Sequence, residues 1–160
     1  MAAFIGTFSN KVDRKGRVSV PARYRSALAA QAFAGIVVAP SFELGAIEAC
    51  DYDRINQVVV GLDRPGLYTP EQKDMVQLVL SKAEELPFDA EGRVMLSPAM
   101  LKLAEIGEIA MFCGVGTTFQ IWNPDKKQVH DKKILSKTEG RPLGLGDLPN
   151  PALLGPGGAA

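Results

Sequence analysis

Six cationic side chains, Lys11, Arg14, Lys15, Arg17, Arg23 and Arg25, fall within residues 11–25 beside a single acid, Asp13. Ammonium and guanidinium groups at that density suit a polyanion, nucleic acid included, because binding follows where charge sits rather than its sum. The sum hides it: the 160-residue chain balances 18 Lys and Arg against 18 Asp and Glu. Residues 84–105 lean the other way, with Glu84, Glu85, Asp89, Glu91 and Glu105 against Arg93 and Lys102. Other chemistries lack their parts. One histidine, His130, and two cysteines without CxxC spacing, Cys50 and Cys113, supply no metal set. Gly114-Val-Gly-Thr-Thr-Phe119 lacks the third glycine and the Gly-Lys-Ser or Gly-Lys-Thr of a phosphate loop and reads as a turn between strands. HExxH and Gly-x-Ser-x-Gly do not occur. No catalytic residue, cofactor or metal is expected, and the chain is read as something other than an enzyme.

The elements that hold these cations repeat. Val12-Asp-Arg-Lys-Gly-Arg-Val-Ser-Val20 recurs 76 positions later as Phe88-Asp-Ala-Glu-Gly-Arg-Val-Met-Leu96. Asp13 matches Asp89, Gly16 matches Gly92, Arg17 matches Arg93, and a proline, Pro21 or Pro98, follows each copy. Asp-x-x-Gly-Arg between apolar residues predicts a turn, since Asp accepts from backbone N–H groups further on and Gly tolerates a positive φ. Strands should flank it: Phe4 to Val12 entering, Arg17 to Val20 leaving with Val18 and Val20 on one face and Arg17 and Ser19 on the other. Asp and Arg four apart can also pair across the turn. A structural bracket is therefore the reading for Asp13, Gly16, Asp89, Gly92 and Arg93.

The remaining pattern extends both copies. Ala22 to Ala34 reads as a helix stopped by Gly35, followed by strands Ile36–Ala39 and Ala46–Cys50. Asp51 should cap a helix with Ile55, Val58, Val59 and Leu62 inside. The second copy offers a helix over Pro98–Ile106, strands Ile109–Cys113 and Thr118–Trp122, and a helix starting at Asn123-Pro124. Between the copies, Thr69-Pro-Glu-Gln72 is a capping box, and Met75, Val76, Val79, Leu80, Ala83 and Leu86 form an apolar stripe that must pack on its own half or on a neighbouring subunit. The last 21 residues carry six Gly and four Pro without an aromatic, composition that predicts flexibility. The expected organisation is a first repeat over 1–68, a connecting helix over 69–86, a second repeat over 87–139 and a flexible tail over 140–160. No apolar run approaches the ~20 residues of a membrane span, and unpaired cysteines fit a reducing cytoplasm.

The two motif copies, Asp13-Arg-Lys-Gly-Arg17-Val-Ser-Val-Pro21-Ala-Arg-Tyr-Arg25 and Asp89-Ala-Glu-Gly-Arg93-Val-Met-Leu-Ser-Pro98, resemble the duplicated Asp-x-x-x-Arg motif of the MraZ family, bacterial regulators of the division and cell-wall gene cluster. The resemblance covers residues 1 to about 139, Phe119-Gln-Ile-Trp-Asn123 included. It implies an α+β fold of two tandem AbrB/SpoVT-like swapped-hairpin units, interlocked as a pseudo-dimer within one chain, with short helices. It also implies a homo-oligomeric ring that presents hairpins to double-stranded DNA at short direct repeats of promoters, nucleoid-associated in the cytoplasm. On that basis Arg17 would meet guanine O6 and N7 in the major groove, Arg14, Lys15 and Lys11 would reach phosphates, and Arg23 and Arg25 would extend the cationic surface or form a solvated helix face. Ala90 and Glu91 replace Arg14 and Lys15 in the second copy, which predicts a structural role there. An antitoxin-like module that holds another protein with the same fold is the alternative.

Overall fold

Each Asp-x-x-Gly-Arg motif bends the chain between two strands that then part company. In the computed structural model, which describes residues 2–138, 141 and 143–153, β1 (Thr7–Lys11) enters the first turn and β2 (Arg17–Ser19) leaves it, followed by α1 (Ala22–Leu28), β3 (Gly35–Ser41) and β4 (Ala46–Cys50). Helices α2 (Tyr52–Leu62) and α3 (Pro70–Lys82) precede the second copy: β5 (Glu84–Pro87), β6 (Arg93–Met95), α4 (Pro98–Leu103), β7 (Ile109–Gly114) and β8 (Phe119–Trp122), then α5 (Pro124–Lys137). Residues up to Lys126 make one compact unit. The second unit, from Lys127 on, holds the rest of α5 and two 3-10 turns, Leu145–Asp147 and Pro151–Leu153.

The strands exchange partners between copies. Strands β1 and β2 do not pair as a ladder: a Val12–Val18 bridge and the Asn10 Nδ2–H bond to Ser19 O at 2.7 Å join them beside the turn. Instead β1 pairs with β7, β5 pairs with β3, and β4 pairs with β8 at the centre of a six-stranded antiparallel sheet of order β1-β7-β8-β4-β3-β5. The outgoing strands form a separate ribbon, β2 against β6, with Val18 opposite Val94, Arg17 opposite Met95 and Ser19 opposite Arg93. This register is symmetric about the valine pair, so the two copies are related by an approximate two-fold. The implied α+β swapped-hairpin pseudo-dimer is the observed architecture.

Exchange follows from burial. Strands of three to seven residues cannot enclose a core alone, and the buried cluster draws on both copies: Val18, Val20, Tyr24, Ile36 and Ile47 with Val94, Leu96, Phe112, Phe119 and Ile121. Tyr24 of α1 packs edge-on to Phe4 at 5.4 Å between ring centroids and reaches Phe119 at 4.9 Å. Its hydroxyl donates to the Gly6 carbonyl, and desolvation pushes its pKa up to about 12. Gly114 is required where β7 passes the N-terminal segment, because a Cβ there would stand 2.4 Å from the Phe4 backbone.

Several boundaries differ from the sequence reading. Helix α1 ends at Leu28 rather than Ala34. The Ala29 N–H already bonds Ser26 O, and Gln31 turns away to donate to Gly35 O and accept from Tyr52 N–H. Gly35 therefore opens β3 instead of stopping a helix. The connecting helix ends at Lys82, since Ala83 is extended and Leu86 is a buried residue of β5, paired with Ile36. No residue of α3 is buried: Val76, Val79 and Leu80 are half covered, while Met75 and Leu78 are exposed. Val59 on α2 is exposed too. The entering strand is shorter than Phe4–Val12 because Gly6 breaks it with φ +93°, and α4 stops at Leu103 ahead of Glu105 at φ +53°. Of the expected flexible tail, Gly140, Pro142 and residues 154–160 lie outside the described residues.

Candidate nucleic-acid interface

The two turns share one bracket. In the first, Asp13 Oδ1 accepts from the backbone N–H of Lys15 at 3.0 Å and of Arg17 at 2.8 Å, while Oδ2 takes Arg17 Nε–H at 2.6 Å. The second repeats it, with Glu91 N–H and Arg93 N–H on Asp89 Oδ1, both at 2.9 Å, and Arg93 Nε–H on Oδ2 at 2.8 Å. Gly16 and Gly92 hold φ values of +84° and +74°, which close the loops at low steric cost. The turns also cross-bond: Leu96 N–H donates to Gly16 O at 2.9 Å and Val20 N–H to Gly92 O at 3.2 Å.

These bonds act on ionisation. Desolvation raises the Asp13 pKa, but the hydrogen bonds from Arg17 and Lys15 and the Arg17 charge outweigh it and hold the carboxyl below its ordinary 3.8. The Arg93 backbone N–H leads the same lowering at Asp89. Both aspartates are thus held ionised and neutralised by the arginine beside them.

Positive charge is left over at the first tip, negative charge at the second. Arg14 and Lys15 are exposed at the first tip, and Lys11 is exposed at the end of β1. Among the described residues none of the three forms an ion pair. The second tip carries exposed Ala90 and Glu91, and Glu91 reaches back to Arg93 Nη2 at 3.5 Å. Arg17, Ser19, Arg93 and Met95 share the outer face of the β2–β6 ribbon, opposite the buried valines. Arg23 is exposed on α1, and Arg25, on the same helix, is turned toward the second tip, where a Cβ on Gly92 would meet its guanidinium.

The chain is similar to known proteins. Residues 79–136 match the family model described as "MraZ protein, putative antitoxin-like". The chain is 48% identical over 127 residues to a protein of Rhodospirillum rubrum named Transcriptional regulator MraZ, covering 78% of this chain and 81% of that one. Proteins of the same name from Pelagibacter ubique and Rickettsia akari are 42% and 36% identical over 121 and 132 residues, covering 76% and 82% of this chain and 78% and 89% of theirs. The chain belongs to the MraZ family.

Arg14 and Lys15 lie at the exposed first tip, Lys11 at the end of β1 and Arg17 on β2. Sequence spacing missed Met95, which joins Arg17 only because β2 and β6 pair. Met95 is 54% exposed, unusual for so apolar a side chain in a strand whose neighbour Val94 is buried. Its position after Arg93 and Val94 was the available signal, one alternation step outward from the core. Both cysteines are buried, and desolvation pushes the Cys50 thiol up to about 12.

Proposed function

We propose that this chain is a DNA-binding transcriptional regulator that offers its first turn and the β2–β6 ribbon to the major groove. The observation carrying this reading is the unpaired Arg14–Lys15 tip beside an arginine already held by its Nε. An arginine anchored through Nε keeps both terminal amino groups for a flat pair of acceptors, and guanine O6 and N7 are such a pair. Arg17 is the base reader in this scheme. Arg14, Lys15 and Lys11 bind phosphates and set register, and Arg23 adds a peripheral charge. Asp13, Gly16, Asp89, Gly92 and Arg93 keep the ribbon in shape. Three relatives carrying the words transcriptional regulator in their names support the class.

In its full form the reading has several chains joined in a ring, in the cytoplasm and on the nucleoid, without a cofactor. Many hairpins then engage short direct repeats at once, so weak single contacts add through effective concentration. The genes repressed are those of division and cell-wall synthesis, the regulator's own included. A footprint of the purified protein on the DNA upstream of its own gene tests this, with protected short direct repeats as the expected result. Uniform or absent protection, with stoichiometric capture of a toxin-like protein instead, would replace it with the antitoxin-like reading that the family description mentions.

A further inference from the structure

Arg25 groups with the other cations in the sequence, and in the fold its guanidinium lies against the second turn. A Cβ built on Gly92 would lie 2.7 Å from its Nη1 and 2.8 Å from both its Cζ and Nε. Three atoms of the guanidinium plane at nearly one distance mean that its flat face, rather than its tip, covers the glycine. Its Nε–H meanwhile donates to Val20 O at 3.1 Å, and Val20 N–H donates to Gly92 O at 3.2 Å. The contacts close a loop through α1, the residue after β2 and the second turn. At the matching place in the other copy, 76 positions on, stands Leu101, whose Cδ1 lies 3.5 Å from a Cβ on Gly16. Leucine has neither charge nor donor. The basic turn therefore rests on an aliphatic pad, and the acidic turn rests on a guanidinium.

We propose that Arg25 is a positioning residue for the β2–β6 ribbon, clamping the second turn to the end of β2, and not a phosphate contact. The proposal rests on the DNA-binding reading above. Val20 O takes the Arg25 Nε–H and the Gly92 backbone lies under the flat face of the guanidinium, so the fold rather than a ligand sets where that group lies. Without it, the second turn and the strand bearing Arg17 lose a shared tie. A Cβ at position 92 would displace the guanidinium, so glycine there lets the clamp close.

Arg25→Leu, which copies the Leu101 pad, and Arg25→Lys, which keeps charge without the flat face, separate the two roles. Affinity for a duplex spanning the DNA upstream of the chain's own gene is measured across salt concentrations. Both variants should bind roughly tenfold more weakly, the scale of one charge-assisted hydrogen bond, with the salt slope unchanged. A lost phosphate contact would instead lower the slope by about 0.9. That drop in Arg25→Leu, restored by Arg25→Lys, overturns the proposal, as does wild-type affinity in Arg25→Leu. In the DNA-free wild-type protein, the Arg25 Nε–H should exchange at least about tenfold more slowly than that of Arg14. Equal rates overturn the clamp even if the variants fail to fold. A wild-type protein that does not retain the duplex removes the DNA-binding reading and leaves the exchange rates to decide the clamp.

Discussion

The first and second turns of this protein share a backbone and differ in nearly everything exposed. Both close on an aspartate that accepts two backbone N–H groups and one arginine Nε–H, and both use a glycine at positive φ. The tips then diverge, Arg14 and Lys15 against Ala90 and Glu91, and so do the supports, Leu101 against Arg25. Arg93 has Glu91 on a terminal nitrogen, whereas Arg17 meets Asp13 through its Nε. The aspartate–arginine bracket is thus common to both turns. The charge outside it is what could make one turn a contact surface and the other a brace.

The strongest test of that division is to remove each arginine in turn. Arg17→Ala should abolish sequence-specific binding in a gel-shift titration, since each bidentate guanine contact is worth about 1–3 kcal/mol and several hairpins engage together. Arg93→Ala should lower the melting temperature without that loss of specificity, and equal effects on DNA would erase the distinction. Next in size, Gly16→Ala should cost about 2–3 kcal/mol, because a Cβ would stand 2.6 Å from the Leu96 carbonyl at a left-handed φ. Gly92→Ala meets a movable side chain and should cost closer to 1 kcal/mol in denaturant unfolding. A reversed order would mean that the Arg25 clamp is the more rigid support.

Smaller effects sharpen the electrostatic half. Substituting Arg14 and Lys15 together by alanine should reduce the salt slope by about 1.8, or 0.9 per phosphate lost, with base preference kept. Glu91→Lys should raise non-specific affinity less than about tenfold, as one added surface charge near a phosphate does. No gain at all would turn the second tip away from the duplex. Smallest is the acid response. Because Asp13 and Asp89 are held below 3.8 in the folded protein, their stabilisation is complete above the unfolded value and fades as pH falls through the folded one. The stability gap between wild type and Asp89→Asn should therefore stay level above about pH 5 and close below 3.8. A gap that widens in acid would contradict the bracket.

Much of this was legible from residue types alone. Asp-x-x-Gly-Arg specifies its turn locally, through a side chain bonding to its own backbone, so both brackets could be read without a partner. The capping box at Thr69 and the cap at Asp51 were legible for the same reason. What failed depended on distant residues. Ala29 to Ala34 has helical composition, yet Gln31 is drawn off by Tyr52, and Leu86 continues a helical stripe until β3 claims it as a strand. Arg25 shows the same limit at the candidate site: its spacing groups it with Arg23, but Val20 and Gly92 decide where its guanidinium lies.

The order of residues by itself determined two turns, their brackets and the lopsided charge at their tips, because each arises from side chains within four positions of one another. Only the tertiary structure decided that β1 and β2 should part, that Arg17 should face Met95, and that an α1 arginine should underlie the other copy's turn. Those outcomes come from burial: neither copy has enough apolar surface to close its own core, so strands exchange, and exchange brings together residues far apart in the chain.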